Sequence, residues 1–378
     1  MKHHIVVLGA GYAGLGAAQR MARQLRRTGA RITLVNEADR FVERVRLHQL
    51  AAGRPLRELP LRPLLAGTGI ELVVARVTAV DTKNRAVRLD TAPYGIGYDT
   101  LVYALGSATD TATVPGAAAH ASSVAAFDEA VRLRGRMTDA RGTLAVVGAG
   151  LTGIEVATEL AESHPGLSVQ LVTGGAFGAG FSDRGGRYLR DALDRRGITL
   201  REHTRVSEVA AHGLALADGT EIPTDTVVWA AGVRVPDLAR DAGIAVDARG
   251  VIRVDAALRS VSHPEVFAAG DAAGAHGPDG SASRMSCQTG IPMGRHVADT
   301  VTAILTGRAP APLRLRYVGQ NISLGRRDGL IQFTRPDDSP VAAVLTGRAS
   351  ARVKEAVIRG AFRATRRPGP YLPGAGGS

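Results

Sequence analysis

The most constraining feature of the sequence is a set of three glycines that follows a short apolar run near the N-terminus. Residues 5–8 predict a buried strand, and residues 15–25 predict a helix. Gly9 permits the tight turn between them, Gly11 lets a pyrophosphate approach the backbone, and Gly14 lets the helix pack closely on the strand. The N–H groups at the start of this helix favour phosphate charge. This first fingerprint predicts a dinucleotide-binding Rossmann unit.

A carboxylate stands where such a unit binds ribose. The second predicted strand covers residues 31–35 and is followed by Asn36 and Glu37, so Glu37 comes 23 positions after Gly14. A carboxylate at this position can accept hydrogen bonds from a ribose 2′-hydroxyl. Strand, helix and acid in this order favour a nucleotide site over a glycine-rich turn without a ligand.

The same pattern occurs a second time. Residues 143–147 predict a strand, a helix follows through Glu162, and the glycine spacing is repeated by Gly148, Gly150 and Gly153. Two chance matches with correct flanking elements are far rarer than one, so this second fingerprint predicts a second dinucleotide site.

The second unit has no acid at the position that Glu37 occupies in the first. Its second predicted strand, over 168–172, is followed by Thr173 and two glycines, and Arg184 and Arg187 come further along the chain. An acid favours NAD, whereas a nearby arginine accommodates the 2′-phosphate of NADP. Both NADH and NADPH therefore stay open.

Composition narrows the class of protein. A chain of 378 residues has room for two or three domains. No apolar run approaches the ~18 residues of a membrane span, and the single cysteine, Cys287, excludes an internal disulfide and a CxxC redox pair. The net charge of +12 comes almost entirely from arginine, since the lysines are only Lys2, Lys83 and Lys354. This skew is weak evidence for a nucleic-acid partner. We expect a cytoplasmic protein that binds neither nucleic acid nor metal.

Other predicted strands end in small residues that let the backbone pass close to a cofactor. Two of these ends contain Ala104, Gly106 and Gly232. A third ends in Gly270 and Asp271, where the carboxylate could hold a sugar or ribityl hydroxyl.

Residues 39–50 predict a helix that leads from the ribose end of the first site toward the reactive end of a bound cofactor. Arg44, Arg46 and His48 lie on this helix. These side chains could contact a cofactor or substrate, or they could form an ordinary charged helix face in solvent. The sequence leaves both readings open.

Together these segments resemble the flavoproteins with two dinucleotide-binding domains, over residues 1 to about 300. The resemblance implies an α/β fold of two Rossmann-like domains, the second inserted in the first, plus a small C-terminal region. It implies FAD in the first site and NAD(P)H in the second. The predicted domains are 1–108 with 245–307 for FAD, 109–244 for NAD(P)H, and 308–378 at the C-terminus.

The resemblance also assigns residues to the cofactors. Residues 98–107 resemble the family's ATG strand end, with Leu105 in place of threonine, and residues 267–271 match its second FAD motif, in which the aspartate contacts the ribityl and phosphate chain. The expected cofactor-binding residues are Gly9, Gly11, Tyr12, Ala13, Gly14, Glu37, Ala104, Gly106, Gly148, Gly150, Thr152, Gly153, Gly232, Gly270, Asp271, Cys287 and Gln288.

Within this superfamily the chain resembles the type II NADH dehydrogenases, which are single-subunit NADH:quinone oxidoreductases. Residues 148–157 carry their glutamate, Glu155, which approaches the nicotinamide and the flavin. Residues 286–295 resemble their AQxAxQ segment beside the flavin, with the first glutamine retained as Gln288. The positions that depart from this pattern are Cys287, Gly290 and Pro292. The resemblance implies Glu155 and Gln288 as catalytic residues and a quinone or quinone-like acceptor.

Two alternatives stay open. Pro292 and a modestly apolar tail favour a reductase for a soluble acceptor, either an iron–sulfur protein or a biosynthetic intermediate, and the basic C-terminal end is compatible with a flavin-bound redox sensor or scaffold. The cysteine count argues against disulfide and sulfide:quinone reductases, which need two or more cysteines, and against peroxidases and NADH oxidases, which use one soon after Glu37. We expect Cys287 to be a small buried residue rather than a reactive thiol.

The C-terminal region holds most of the excess positive charge. Residues 349–367 predict a helix with Val353, Val357 and Phe362 on one face, among basic residues. A basic amphipathic helix can lie on an anionic membrane. Peripheral contact with the inner face of the membrane is therefore one expectation, and a helix packed on the body is the other. Residues 368–378 are expected to be disordered, and a homodimer stays open.

Overall fold

A computed structural model describes residues 2–138, 140–277 and 279–367 of the chain. The tail that the sequence predicts to be disordered, 368–378, lies outside the described residues. The elements up to residue 103 are β1 (His4–Leu8), α1 (Tyr12–Gln24), β2 (Arg31–Asn36), α2 (Leu47–Ala51), α3 (Leu61–Leu65), β3 (Ile70–Val74), β4 (Val77–Asp81), β5 (Ala86–Leu89), β6 (Gly95–Gly97) and β7 (Thr100–Tyr103).

The middle of the chain repeats this strand–helix–strand plan. Its elements are β8 (Ala108–Thr109), α4 (Ala117–His120), β9 (Ala121–Ser122), α5 (Phe127–Met137), β10 (Gly142–Val147), α6 (Leu151–Ser163), β11 (Leu167–Val172), α7 (Asp183–Asp194), β12 (Thr199–Arg201), β13 (Val206–Ala210), β14 (Gly213–Leu216), β15 (Glu221–Pro223), β16 (Thr226–Trp229) and β17 (Val233–Arg234).

The remaining part contains two long helices, the second of them terminal, and a small sheet. Its elements are α8 (Leu238–Asp241), β18 (Val266–Ala268), α9 (Cys287–Leu305), β19 (Gly319–Ser323), β20 (Gly329–Thr334), β21 (Pro340–Thr346) and α10 (Gly347–Arg366).

Two five-stranded parallel sheets organise the fold, in the orders β18-β7-β1-β2-β3 and β12-β11-β10-β16-β9. Residues 5–8 are completely buried, as expected for a central strand covered on both faces. Because β18 follows the whole second sheet in the chain but pairs with β7, the second unit is inserted in the first. The predicted α/β fold with two Rossmann-like units is confirmed, whereas the domain boundaries stay predictions.

The strand register brings the predicted cofactor residues to one edge of each sheet. In the first sheet Leu8 pairs with Val35 and Tyr103, and Tyr103 pairs with Ala268. The residues that follow these strands therefore share the carboxyl edge, where open α/β sheets bind their ligands. In the second sheet Val147 pairs with both Val172 and Trp229, which aligns the corresponding strand ends.

The chain crosses between the two units through a short ribbon. The first crossing strand, β8, pairs antiparallel with the returning strand β17. Among the described residues there are also three antiparallel three-stranded sheets: β4-β5-β6, β13-β14-β15 and β19-β20-β21. In the part of the chain that the structure describes, no helix combines the length and the apolar character needed to cross a membrane.

The predicted helix over 39–50 is wrong in its first half. A 3₁₀ turn, Arg44–Arg46, leads directly into α2, and residues 39–43 are not helical. The Asp39 side chain instead accepts hydrogen bonds from the N–H groups of Leu61 and Arg62, both at 3.1 Å. An aspartate used in this way satisfies free donors at the start of α3, so its side chain is not available to cap a helix at its own position.

Candidate active site

The glycines of the first fingerprint divide into two kinds. Gly9 has a positive φ of 92°, and a Cβ there would overlap the carbonyl oxygen of Ala104. A Cβ on Gly14 would overlap the carbonyl oxygen of Gly9. A Cβ on Gly11, by contrast, would meet no atom of the described residues within 4 Å. Packing of the protein thus requires the outer glycines, while the middle one leaves open space for a ligand.

The second fingerprint repeats this geometry. Gly148 has a φ of 106° and lies against the backbone of Ala230 and Ala231. A Cβ on Gly153 would overlap the carbonyl oxygen of Gly148, and one on Gly150 would again meet nothing within 4 Å among residues 2–138, 140–277 and 279–367. The two units therefore share the same open cradle at their middle glycines.

Both cradles lie at helix starts that fit a pyrophosphate. The helices α1 and α6 begin directly after Gly11 and Gly150, and within the described chain neither start is capped by a side chain. The free N–H groups of a helix start, together with the helix dipole, bind anionic phosphate. The buried Tyr12 hydroxyl also has no hydrogen-bond partner within the described residues. Open glycine positions and uncapped N–H groups fit a dinucleotide in each unit, and the orphaned hydroxyl is a feature of the first unit.

The end of β2 is tied to the first cradle. The Asn36 side chain accepts a hydrogen bond from the N–H of Ala10 at 2.8 Å, and the next residue, Glu37, is about two-thirds exposed. Its carboxylate lies 3.5 Å from Arg76, an exposed pair that adds little stability. Glu37 is therefore available to a ligand at the predicted ribose position.

Replacing Glu37 by alanine is expected to weaken FAD retention without unfolding the protein. Loss of hydrogen bonds to a charged acceptor costs about 1.5–3 kcal/mol, which raises the Kd roughly 10- to 150-fold. Flavin content after dialysis measures the effect, and Glu208→Ala, at an exposed glutamate on β13, is the control. A full flavin complement in Glu37→Ala would remove Glu37 from the ribose site.

Asp271 lies at the same sheet edge, after β18. Its carboxylate accepts a hydrogen bond of 2.5 Å from the Ser107 hydroxyl and lies 3.7 Å from the Arg44 guanidinium. Gly106 and Gly270 both have positive φ, at 71° and 73°, which lets the chain turn at these two strand ends. The first unit therefore brings Asp271 to the edge that holds the first fingerprint. Arg44 is the one basic residue of the 44–48 segment that contacts this carboxylate.

The start of α9 lies beside the same edge. Gly290 lies close to Gly270, and Gly294 packs on the backbone of Ala13. A Cβ added at either glycine would contact these neighbours. Cys287 and Gln288 are the first two residues of α9 and are half-buried. Burial raises the pKa of the Cys287 thiol, which keeps it protonated at neutral pH and argues against a reactive thiolate.

Pro292 is the sixth residue of α9 and lies inside the helix, not in its first turn. A proline has no N–H, so the helical hydrogen bond to the carbonyl four residues earlier, that of Gln288, is missing. The departure from the AQxAxQ pattern thus changes the backbone at Gln288 as well as a side chain.

Two further predicted cofactor-binding residues, Thr152 and Gly232, belong to the second unit. Thr152 is exposed on the first turn of α6. Gly232 follows β16 and accepts a backbone hydrogen bond of 3.3 Å from Asp110, next to the crossing ribbon. Gly232 therefore lies where the chain passes between the two sheets.

Glu155 is buried on α6 within a polar cluster. Its carboxylate contacts the Lys354 ammonium, accepts a hydrogen bond of 3.0 Å from the N–H of Ser323, and lies 3.6 Å from Nδ1 of His48. Burial alone would raise the pKa of this carboxyl, but Lys354, His48 and the Ser323 N–H together hold it below its usual value. Glu155 is therefore ionised at neutral pH.

Sequence reasoning did not identify Lys354 as part of the site. Lys354 comes from α10, is almost fully buried, and its charge acts on Cys287 as well as on Glu155. It thus links α10 to α6 by direct contact and reaches the start of α9 through its charge. The one sequence signal that could have pointed to Lys354 is the rarity of lysine, since the chain has only three lysines among its 47 lysines and arginines.

Burial excludes one of the two readings left open for the 44–48 segment, while contact with a cofactor or substrate stays a prediction. His48 is 3% exposed, and the Arg46 side chain is 13% exposed with Glu43 and Glu355 as its partners. An ordinary solvated face is therefore wrong for these two residues.

Comparison with known proteins identifies the family. The family model described as pyridine nucleotide-disulphide oxidoreductase matches residues 3–299. An NADH dehydrogenase-like protein of Mycobacterium tuberculosis is 33% identical over 342 residues, which cover 85% of each chain. A type II NADH:quinone oxidoreductase of Staphylococcus haemolyticus is 28% identical and is aligned over 93% of each chain.

A solved structure extends the comparison to the fold. The ferredoxin reductase for the CYP199A2 system of Rhodopseudomonas palustris has a TM-score of 0.76 and 28% sequence identity. The match covers 88% of the present chain and 83% of the reductase. With both fingerprints in place and most of the chain matched, this protein belongs to the pyridine nucleotide-disulphide oxidoreductase family.

Proposed function

We propose that this protein is an NAD(P)H-dependent flavoprotein that reduces a quinone or quinone-like acceptor. The observation that carries the proposal is the pair of equivalent open cradles, at Gly11 and Gly150, on two parallel sheets of one chain. FAD and NAD(P)H, when bound, supply the hydride chemistry, while the protein binds and orients them. The membership of the family supports both cofactors.

The residues that would hold FAD lie along the carboxyl edge of the first sheet. Backbone N–H groups after Gly11 would bind the pyrophosphate, Glu37 the ribose, and Asp271 the ribityl chain. The start of α6 after Gly150 would bind the pyrophosphate of NAD(P)H.

Two side chains are proposed as catalytic. Glu155, ionised and fixed by Lys354 and the Ser323 N–H, would present a constant negative charge near the nicotinamide. Gln288, with the N–H groups at the start of α9, would stabilise negative charge that develops beside it.

A quinone acceptor is supported by the similarity to the staphylococcal NADH:quinone oxidoreductase. Stopped-flow reduction of the purified protein with NADH and with NADPH, followed by an acceptor screen and cell fractionation, tests the proposal. Rapid reoxidation by soluble quinone analogues supports it. Reoxidation by an iron–sulfur protein alone would contradict it.

That second outcome defines the alternative function, reduction of a soluble iron–sulfur protein. The similarity to the Rhodopseudomonas palustris ferredoxin reductase and the departure at Pro292 favour it. Both functions use the same two cofactor cradles, so only the acceptor distinguishes them.

The acceptor side can be probed at Gln288. If a quinone is reduced, Gln288→Ala is expected to lower the rate of reoxidation by about tenfold or more, since a lost donor to developing charge costs about 1.4 kcal/mol or more. Reduction by NAD(P)H should stay near normal. Pro292→Gln is the matched variant; it restores an N–H donor to the Gln288 carbonyl and should stabilise α9 by about 1–3 kcal/mol. Unchanged reoxidation in Gln288→Ala would exclude Gln288 from the acceptor site.

The terminal helix α10 packs on the body, so the predicted single apolar face is wrong. Phe362 packs on Phe41, with ring centroids 5.3 Å apart, whereas Val353 and Val357 are 42% and 45% exposed. The two exposed valines lie one turn apart, among arginines. We propose that this outer face of α10 makes the peripheral contact with an anionic membrane. The homodimer stays a prediction.

A further inference from the structure

Three ionisable side chains from distant parts of the chain meet in one buried cluster. His48 comes from α2, Glu155 from α6 of the second unit, and Lys354 from the terminal helix α10. Each of the three is less than 10% exposed. The cluster therefore joins the segment after the first fingerprint, the helix of the second and the C-terminal region.

The contacts of His48 define where its proton lies. Nδ1 is 3.6 Å from Oε2 of Glu155, while Nε2 is buried and has no hydrogen-bond partner within the part of the chain that the structure describes. Because the Glu155 carboxylate is ionised, a proton on Nδ1 would be attracted to its negative charge. An unprotonated Nδ1 would instead direct a lone pair at the carboxylate and be repelled. The Nδ1–H form is therefore favoured. At 3.6 Å the contact is electrostatic rather than a full hydrogen bond.

The imidazole stays neutral in this position. Burial lowers the pKa of His48 to about 4, against the opposing effect of Glu155 and with the help of Lys354 and Arg46. The helix α5 also packs against α2, and its buried residues Ala130 and Leu133 belong to the same hydrophobic core as Leu47. A neutral donor can orient the carboxylate without cancelling its charge.

We propose that His48 is a positioning residue for Glu155, directing its Nδ1–H at the carboxylate so that the second nucleotide site keeps a fixed, ionised acid beside Lys354. The proposal rests on the role assigned to Glu155 in the proposed function. It also gives the segment after the first fingerprint a direct influence on the second site.

The test compares His48→Asn, whose amide N–H can replace Nδ1–H, with His48→Leu, which removes the donor at similar volume. The protonated-carboxyl infrared band of the oxidised, FAD-loaded protein is titrated against pH, and subtraction of the Glu155→Gln spectrum isolates Glu155. In His48→Leu the protonation midpoint should rise by at least about half a pH unit, or threefold in proton affinity. In His48→Asn it should stay close to that of the wild type.

Equal midpoints in the wild type and both variants would overturn the proposal and leave His48 a space-filling residue. If His48→Leu does not retain FAD or a native circular dichroism spectrum, His48→Gln replaces it, because glutamine places its amide nearer to Nε2 than to Nδ1. The titration uses neither NAD(P)H nor an acceptor. A protein that fails the quinone assay but shows the shift would therefore refute the proposed acceptor and keep the assignment of His48.

Discussion

Replacing Gly150 by valine is expected to abolish flavin reduction by NAD(P)H while the protein keeps its FAD. The surroundings of Gly150 are open, so a larger side chain does not collide with the described residues as it would at Gly148 or Gly153. It would instead fill the space through which a pyrophosphate reaches the start of α6. Each lost contact to a charged phosphate costs about 1.5–3 kcal/mol, so the loss of two such contacts should raise the Kd for NAD(P)H at least about 100-fold.

Two variants control this experiment. Gly11→Val makes the equivalent change in the first unit and should release FAD instead. Gly135→Val introduces the same side chain at an exposed glycine of α5 that also has open surroundings, and it should change neither cofactor. Flavin content is measured together with the rate of reduction, at the NADH and NADPH concentrations that just saturate the wild type. Normal reduction of Gly150→Val would show that the second fingerprint does not bind the nucleotide.

A loss of stability between pH 7 and pH 5 is the second large effect, and it arises from His48. In the unfolded chain its pKa is near 6.5, whereas burial lowers the pKa of the folded residue to about 4. Above pH 6.5 both states are neutral; between 6.5 and 4 the unfolded chain binds a proton that the folded protein excludes, so stability falls as pH falls. The loss reaches about 2 kcal/mol at pH 5 and roughly 3 kcal/mol below pH 4.

The measurement is the free energy of unfolding in urea for the wild type and for His48→Asn. His4 and His296 also have lowered pKa values because of burial, so the wild-type slope contains other contributions of the same sign. The difference between the two proteins isolates His48. Glu155 acts in a separate window, since its lowered pKa removes stability only as pH falls below the usual carboxyl range. Parallel pH curves for the two proteins would contradict a buried, neutral His48.

Local backbone geometry explains why the fold could be predicted from sequence. Gly9, Gly14, Gly148 and Gly153 are required by contacts within a few residues or with the adjacent strand, and such requirements leave a fixed spacing in the sequence. A strand with continuous apolar residues likewise predicts a sheet that is covered on both faces. These signals suffice for the two units and their order.

Contacts between distant segments left no comparable signal. Lys354 and Glu155 are separated by 199 positions, and nothing near either residue specifies the other. The same applies to Phe362, which packs on Phe41 across the fold, so the outer and inner faces of α10 could not be assigned by helical periodicity alone. Asp39 was misread because its role depends on the start of α3, a helix that lies more than twenty residues later.

The insertion of one unit in the other has a consequence for synthesis on the ribosome. The first sheet lacks its edge strand β18, and α1 lacks the helix α9 that packs on Ala13, until residues beyond 266 have been made. At about 5–20 residues per second, the N-terminal segment waits roughly 10–30 s after β7 emerges. The inserted unit, contiguous in sequence, can fold during that interval. The nascent chain would thus complete its second sheet before its first, while Ile322, Leu324 and Leu330 join the core of the second unit only later.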